Sequence, residues 1–533
     1  MEKKVLDVNT VFQQFTNNLK IVKDFEVVDN IIKGKIEVIC QVKENIIFDV
    51  EINLNYPLKT GKTESITFYN NYLKKFAHIN YDGSVCFHTL TTPHLKLKLE
   101  SDIKALLEWT DKYYIDEVND NHFEYLFYEN QEINHVFLFC DTDSKPKEND
   151  FGFFYFTQKN NLSLKNTYLV QCLKSQKEKL NIVFSWNKHN SEFKNSLKGL
   201  YFISDRVPVY YRNFSFNNWI DFESTFNSPF LKFLNDSVKN IDKKDLIDGK
   251  YFTLLFGYPI GKGKINFETI KIDYYDIPVF KGKILNRKIT WFKTVDSSYE
   301  LFFGRGKLHE SLSDGKILLI GVGAIGSNLS ESLVRGGCKF LDFFDNDNKE
   351  IGNICRAKYN FSQGETKKID ELSQILFEIS PFVNITKFDY SIIPLLSDDL
   401  KLRYSNFLNS YDYVINCTAN NDVNLILDDL NITTNMITIS ISNNANELVC
   451  IIGNENIYEE NSKIYNTIKQ DLDDLFFPQG CWNPTFRASF HNISALLNYA
   501  LSNINYRLEK ALPLKTFMLE VKEEENYIIK LKD

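Results

Sequence analysis

A chain of 533 residues, 43% hydrophobic and 25% charged, has room for several buried cores, which excludes the disordered and fibrous classes. Its 62 Lys and Arg stand against 70 Asp and Glu, giving a net charge of −8 with no basic tail or block, which excludes sequence-independent nucleic-acid binding. No apolar run approaches membrane-spanning length and the opening MEKKVLDVNTVFQQF lacks the apolar core of a signal peptide, so the expected compartment is the cytoplasm, with no membrane contact. The nine cysteines lie far apart without a C-x-x-C, which speaks against a zinc ribbon or a thioredoxin-like site. The 14% aromatic content reads as core and interface material.

Residues 1–118 read as one small α+β unit. Val11 to Val22 is expected to form an opening amphipathic helix. Lys33–Val42 and Asn45–Asn55 alternate apolar and polar side chains, as hairpin strands do, and Tyr56-Pro57 ends the second. An irregular stretch follows, His78-Ile79-Asn80-Tyr81-Asp82-Gly83-Ser84-Val85-Cys86. Ser101–Tyr114 carries Ile103, Leu106, Leu107 and Trp109 at helical spacing, with Ser101 as the expected N-cap. A lone cysteine behaves as a small hydrophobe in most proteins. Cys86 is set apart by Asn80 and Gly83 beside it.

Residues 119–295 carry strand-like stretches at 135–140, 151–156, 181–185 and 252–257, with polar loops at 143–150 and 187–197. Lys and Asp alternate across 238–249, as on a solvated face. His122, His135 and His189 have no ligand partners at useful spacing. The segment reads as an α/β linker domain without a catalytic cluster.

Residues 296–533 hold the chemistry. Within GKILLIGVGAIGSNLSESLVRGGCKFLDFFDNDNKEIGNICR (315–356), Lys316–Ile320 is expected as a buried strand and Ala324–Arg335 as a helix. Lys339–Phe344 is expected as a second strand, ending on Asp345. Gly321, Gly323 and Gly326 lie between strand and helix. Glycines there let the backbone approach phosphate at a helix N-terminus, and an acid about 20 residues on can bind ribose hydroxyls. The glycines alone also suit a nicotinamide or flavin Rossmann domain. Downstream come Asp345-Asn346-Asp347, Asn353-Ile354-Cys355-Arg356 and Gly364-Glu365-Thr366-Lys367. Arg and Lys so placed can neutralise a triphosphate, which hydride transfer does not need. A helix is expected at 368–379, and strands at 383–388 and 411–416, the latter leading into Cys417-Thr418-Ala419-Asn420. In FPQGCWNPTFRAS (477–489), Cys481 precedes a helix expected from about Ala488, where the dipole and Arg487 favour a thiolate. The other cysteines, Cys40, Cys140, Cys172, Cys338, Cys355, Cys417 and Cys450, are expected to be structural.

The order D-x-D, N-x-x-R, G-x-x-K resembles the ThiF/MoeB and ubiquitin-activating (E1-like) adenylyltransferases. The resemblance implies that Asp345 holds the ribose and that Asn353, Arg356 and Lys367 hold the phosphates of ATP. It also implies that Arg305, in FFGRGKLHESL, contacts ATP, with reach across a dimer. Relatives carry D-C-T-D-N, whose second acid organises magnesium. Here Asn416 and Ala419 replace both acids, so Asp422 or Asp347 is the expected Mg²⁺ carboxylate. The G-C-x-x-P-T-F arrangement around Cys481 resembles the catalytic-cysteine segment of bacterial activating enzymes. The amino-terminal order of helix, meander, Tyr-Pro, H-x-N and G-x-x-C resembles a ubiquitin-conjugating (E2-like) domain. Cys86 is then the thioester carrier, with Asn80 and His78 as helpers. Ile79 replaces the proline of that motif, and the short 80–86 segment looks like bacterial conjugating domains.

The whole resembles the E2–E1 fusion proteins of CBASS-type antiphage systems. This implies an α/β multidomain chain: a ubiquitin-conjugating-like α+β domain at 1–118, an α/β linker domain at 119–295, and a Rossmann-like ThiF/E1 adenylation domain at 296–533. It implies ATP and Mg²⁺, and adenylation of a protein C-terminal carboxylate. A thioester forms on Cys481, passes to Cys86 and ends as an amide on a target amine. The implied partners are a cGAS-like nucleotidyltransferase or a ubiquitin-like protein, joined through its C-terminus, and a deconjugating metalloprotease. The implied assembly is a homodimer. The alternatives are a ThiF-like enzyme for a sulfur carrier, conjugation of a separate ubiquitin-like protein, and a non-catalytic nucleotide-binding scaffold.

Overall fold

The computed structural model describes residues 2–59, 64–89, 91–118, 126–159, 165–177, 181–186, 196–238, 240–261, 263–273, 288–394, 397–468, 475–477, 485–523 and 527–532. Three sheets with separate cores organise them.

The first sheet is an antiparallel meander of β1 (Leu19–Val28), β2 (Ile31–Val38), β3 (Ile46–Asn53) and β4 (Ile66–Tyr69), in that spatial order. Alternation buries Ile46, Phe48, Val50 and Ile52 of β3 against α1 (Glu2–Gln13) and α2 (Leu95–Trp109). The opening helix thus ends before Leu19, not at Val22. Ile21-Val22 and Val27-Val28 are β-branched, and pairing with β2 draws them into a strand. Ser101 is no cap either. It lies inside α2, which starts six residues earlier after His94, because Leu95 and Leu99 extend the apolar stripe that ends at Trp109.

The second sheet comprises β5 (Gln131–Phe139), β6 (Phe151–Lys159), β7 (Asn166–Ser175), β8 (Asn181–Val183), β9 (Leu197–Ile203), β12 (Tyr251–Pro259), β13 (Ile265–Asp273) and β14 (Thr290–Asp296). Between them lie a small hairpin, β10 (Val209–Tyr211) with β11 (Phe214–Ser215), and two helices, α3 (Trp219–Glu223) and α4 (Ser228–Val238). The order is β5-β14-β13-β12-β9-β6-β7-β8, and a further pairing of β5 with β7 closes the ring into a barrel, leaving β8 alongside β7. Phe137, Phe154, Phe156, Tyr201, Leu255, Phe267 and Phe292 fill one core. Phe222, Phe226 and Phe230 pack on Phe202, Phe256 and Trp291 in another. The expected α/β linker is therefore a β-barrel with a short helical cover. Strands such as β12 are buried on both faces, so their apolar residues run continuously and lose the alternation that marks a strand.

The third sheet begins after α5 (Tyr299–Phe303) and α6 (Glu310–Ser313). It contains β15 (Lys316–Ile320), β16 (Phe340–Phe344), β17 (Lys387–Phe388), β18 (Tyr413–Asn416), β19 (Asn435–Ile441), β20 (Glu447–Ile452), β21 (Phe517–Glu523) and β22 (Tyr527–Lys532). Its order is β17-β16-β15-β18-β19-β20-β21-β22, parallel from β17 to β19 and antiparallel beyond. Helices α7 (Ala324–Arg335), α8 (Lys368–Ile379) and α12 (Phe490–Glu509) supply one core. The opposite core involves α9 (Asp398–Leu408), α10 (Asn421–Asp428) and α11 (Ile457–Tyr465). Strand order reverses between β15 and β18, and ligands of such sheets bind in the crevice outside that switch point. The expected strand at 383–388 is shorter, an isolated bridge at Asn384 followed by β17. None of the helices searched among the described residues is long and apolar enough to cross a membrane.

The sheets meet through aromatic contacts. Tyr299 donates its backbone N–H to Asp141 at 2.7 Å and its ring lies 5.5 Å from Phe382, which also stacks on Trp186 of the barrel segment. On the other side, Arg212 of the β10–β11 turn donates to the Lys75 carbonyl at 2.5 Å, and Phe214 lies 5.9 Å from Tyr81.

The barrel segment buries one carboxyl. Burial pushes Glu268 up to about 8, against the hydrogen bond that Asn266 Nδ2 donates to its Oε1 at 3.3 Å, which favours the ion. A raised folded-state value means that its contribution to stability is full below about 4.5 and is lost as pH rises through about 8. Glu268→Gln should flatten that decline and raise stability at neutral pH by a few kcal/mol. Urea unfolding followed by tryptophan fluorescence, read between pH 5 and pH 8, checks this, since Trp219 and Trp291 report on the surrounding core.

Candidate functional site: a glycine loop at the sheet's switch point

Between β15 and α7 the chain turns through Gly321, Val322 and Gly323. Gly321 has φ +83°, and a Cβ there would lie 2.8 Å from Thr418 Cγ2. A Cβ on Gly326 would lie 2.1 Å from the Gly321 carbonyl oxygen. These two glycines are required by the packing of the loop itself. At Gly323 a Cβ would meet nothing within 4 Å. The backbone there is open, at the N-cap of a 12-residue helix and with no side chain capping it. Exposed N–H groups and the positive dipole end suit an anion, so the residues fit the phosphates of ATP.

Asp345 ends β16. Its Oδ2 accepts the Val322 N–H at 2.8 Å and its Oδ1 accepts the Asp347 N–H at 2.8 Å. Each oxygen keeps a lone pair for a ribose hydroxyl. Lys367 precedes α8 and donates to the Asn346 carbonyl at 2.9 Å, while also facing Asp389 at 3.2 Å. Asn353 accepts the Glu350 N–H at 3.0 Å and closes the short turn 351–353. Arg356 is drawn the other way. Its Nη1 donates to Thr485 Oγ1 at 2.8 Å and to the Phe486 carbonyl at 3.2 Å. Arg305 is exposed in the turn after α5 and makes no hydrogen bond or ion pair with the described residues.

Motif reading missed the pair that shapes this loop. Lys349 and Glu371, both buried, meet at 2.6 Å, and Glu371 also accepts from the Asn360 N–H and Thr366 Oγ1. Burial alone would raise Glu371, but these hydrogen bonds hold it below the usual carboxylate range. The signal in the sequence was a Lys and a Glu flanking the motif, with nothing to show that they are buried.

The segment expected to organise magnesium is held by amide and hydroxyl groups. Asn416 is fully buried, accepts from Thr418 N and Oγ1, and donates to Asn424 Oδ1 at 2.8 Å. Ala419 adopts φ +52°. Asp422 is exposed in the first turn of α10, while Asp347 pairs with Lys368 at 2.8 Å. No cluster of three His, Cys, Asp or Glu exists among the described residues. Single carboxylates of this kind fit a Mg²⁺ ion that keeps most of its waters.

Cys481 lies outside the described residues. The chain flanking it is tied at its base, since Phe476 and Thr485 exchange both backbone hydrogen bonds at 2.9 Å. The following helix starts at Phe490, capped by Ser489. Cys86 is half-buried, and its N–H donates to the His78 carbonyl at 2.7 Å. Asn80 Nδ2 donates to Ser84 Oγ at 3.0 Å, so it braces the loop before Cys86, and His78 lies against Tyr113 with centroids 4.5 Å apart. Beyond Cys86, Thr89 and Tyr56 donate to the fully buried Asp102 of α2 at 2.5 and 2.7 Å. Among the cysteines expected to be structural, burial pushes Cys338 and Cys417 up to about 12, whereas Cys355 is exposed.

A switch-point glycine loop with an acid just after the next strand defines a Rossmann-like nucleotide-binding sheet. Residues 297–465 match the ThiF family. It is similar to the ATP-dependent ubiquitin transferase-like protein Cap2 of Enterobacter hormaechei subsp. hoffmannii (strain UCI 50), 25% identical over 267 residues that make up 44% of each chain. It is also similar to ubiquitin-like modifier-activating enzyme 5 of Caenorhabditis briggsae, 28% identical over 116 residues, 21% of this chain and 27% of that one. The chain thus spans less than half the length of these curated relatives. Among solved structures, Escherichia coli MccB with ATP is 14% identical with a TM-score of 0.30, over 42% of this chain and 65% of that one.

The glycines should separate experimentally. Gly323→Ala should change stability by less than about 1 kcal/mol, as surface substitutions do, yet weaken ATP binding tenfold or more. Gly326→Ala should lower stability, because backbone must move away from the new methyl. Thermal unfolding and equilibrium dialysis with labelled ATP measure both.

Proposed function

We propose that the chain activates the C-terminal carboxylate of a carrier protein and conjugates it to an amine. A carboxylate oxygen attacks the α-phosphorus of ATP, and the bond to pyrophosphate breaks. The Cys481 thiolate displaces AMP to form a thioester. Cys86 takes the acyl group by thiol exchange, and a target amine displaces Cys86 while losing a proton, leaving an amide. The carrier is a ubiquitin-like protein or a cGAS-like nucleotidyltransferase, with conjugation reversed by a metalloprotease, as the resemblance to the E2–E1 fusion proteins implies; the likeness to the ubiquitin transferase-like Cap2 supports the transfer step. In this reading residues 1–118 conjugate, 119–295 link and 296–533 adenylate, and the assembly is a dimer in which Arg305 reaches the partner's nucleotide.

The observation that carries the reading is Arg356. It follows the nucleotide strand within N-x-x-R and grips Thr485 and Phe486, just after the segment containing Cys481. That contact supports a common site for phosphate and thiol. Asp345 and Lys367 are the further nucleotide residues, and Mg²⁺ has Asp422 or Asp347 as its protein ligand.

Asp345→Ala, Arg356→Ala and Lys367→Ala should each lower carrier-dependent ATP–pyrophosphate exchange on the order of a hundredfold. Near-normal exchange in all three removes this site from the chemistry. Asp422→Ala or Asp347→Ala should raise the magnesium needed for half-maximal exchange.

The relay orders the thiols. Cys481→Ala should still exchange pyrophosphate but form no thioester on either cysteine. Cys86→Ala should accumulate a thiol-sensitive adduct at Cys481 and make no amide, as read on reducing and non-reducing gels with mass mapping. Full amide formation by Cys86→Ala would instead reduce residues 1–118 to a binding module.

A further inference from the structure

The loop that leads to Cys86 is held from two sides. Its inner edge is tied within its own domain. The Asn80 N–H donates to the Ser84 carbonyl at 2.8 Å, the Gly83 N–H to the Asn80 carbonyl at 2.9 Å, and the Val85 N–H to the Phe68 carbonyl at 3.0 Å. Gly83, at φ +85°, closes this turn. The outer edge is Tyr81, the residue directly after Asn80, which is 40% exposed.

The barrel segment meets that outer edge. Phe214, the first residue of β11, lies 5.9 Å from the Tyr81 ring and is only 1% exposed. Lys74 Nζ stands 5.3 Å from the Tyr81 centroid and 5.8 Å from that of Phe214, so one cation serves both rings. Arg212, in the turn between β10 and β11, donates to the Lys75 carbonyl at 2.5 Å. It does so from φ +43°, a conformation that a residue other than glycine adopts at a cost and keeps only where its surroundings hold it. The hairpin is itself anchored. The Phe127 N–H donates to the Asn213 carbonyl at 2.7 Å, and the Trp291 indole N–H of β14 donates to the Phe216 carbonyl at 3.3 Å. A firm support therefore bears on the tip of the turn that contains Asn80.

We propose that Arg212 and Phe214 are positioning residues for acyl transfer from Cys86. The hairpin holds the turn through Tyr81, and the turn holds Asn80 and the chain up to Cys86 in the arrangement an attacking amine needs. The barrel segment is then part of the conjugating site and not a spacer. The proposal rests on the reading of Cys86 as an acyl carrier. It separates two steps. Acylation of Cys86 needs an accessible thiolate. Attack by an amine puts negative charge on the carbonyl oxygen in the transition state, and that charge is stabilised only by groups already in place. A small misplacement of such groups costs up to about a hundredfold in rate. Loosening the hairpin should slow the second step and spare the first.

The test uses the full chain and no carrier protein. The mercaptoethanesulfonate thioester of N-acetylglycine acylates Cys86: the thiolate attacks the carbonyl and mercaptoethanesulfonate leaves. Free lysine is then added. Its ε-amine attacks, the Cys86 thiolate leaves, and the amine loses a proton to solvent. Mass spectrometry of the Cys86 peptide follows both rates. Phe214→Ala, Arg212→Gly and Tyr81→Ala should each slow discharge to lysine about tenfold or more, with acylation within twofold of the parent. Tyr81→Phe, which keeps the ring, should discharge at the parent rate. Glycine suits the φ of residue 212, so Arg212→Gly removes the guanidinium without straining the turn, and Tyr81 is exposed enough to truncate. These two variants decide the matter even where Phe214→Ala fails to fold. Unchanged discharge by both, or an equal fall in both rates, overturns the proposal and leaves the carrier reading standing. A parent chain whose Cys86 acyl group reacts with lysine no faster than the free thioester overturns the carrier reading, and the proposal with it.

Discussion

The carboxylate of Asp345 is where the nucleotide end of the chain is joined to itself. One oxygen holds the backbone of the glycine loop and the other holds the start of the next loop. Hydrogen bonds to a charged group are worth about 1.5–3 kcal/mol each, so the shape of both loops depends on one side chain. The glycines then become obligatory. With Val322 drawn toward Asp345, Gly321 turns into a positive-φ conformation and the first turn of α7 comes down onto its carbonyl, where only Gly326 fits. Under the proposed function, ligand binding and loop architecture are not separable at this acid.

Arg356 plays a comparable double part at the other end of the site. A guanidinium has several donors in a fixed fork, so one face can serve a backbone carbonyl while another remains for an anion. Here Nη1 is spent on Thr485 and Phe486. A phosphate arriving at Arg356 would compete with that grip or share it. Under the proposed function, the segment after Cys481 would sense the nucleotide through a single side chain.

Much of the carboxy-terminal half was legible because its signals are local. Lys316–Ile320, Ala324–Arg335 and the helix at 368–379 fall where an apolar run, a glycine turn and a helical stripe put them. The Lys349–Glu371 pair and the Asn416 network were not, since burial of a polar residue leaves no mark on the sequence around it. The amino-terminal helix was displaced for a related reason. Val11 and Phe12 belong to a helix stripe that begins at Val8, while Ile21 and Val22 belong to a strand whose partner comes later in the chain. The barrel was hardest. Its strands pair at long range, and α3 and α4 are too short to announce themselves as a layer.

The closure of that barrel has a consequence for biosynthesis. β5 is held between β14 and β7, so the ring cannot shut until residue 296 has left the ribosome. The amino-terminal meander joins only sequential neighbours and can form as it emerges. For roughly 160 residues of synthesis, about ten to thirty seconds at typical elongation rates, an aromatic-rich run of strands stands with open edges. Chaperone dependence and truncation products should therefore concentrate in the middle of the chain.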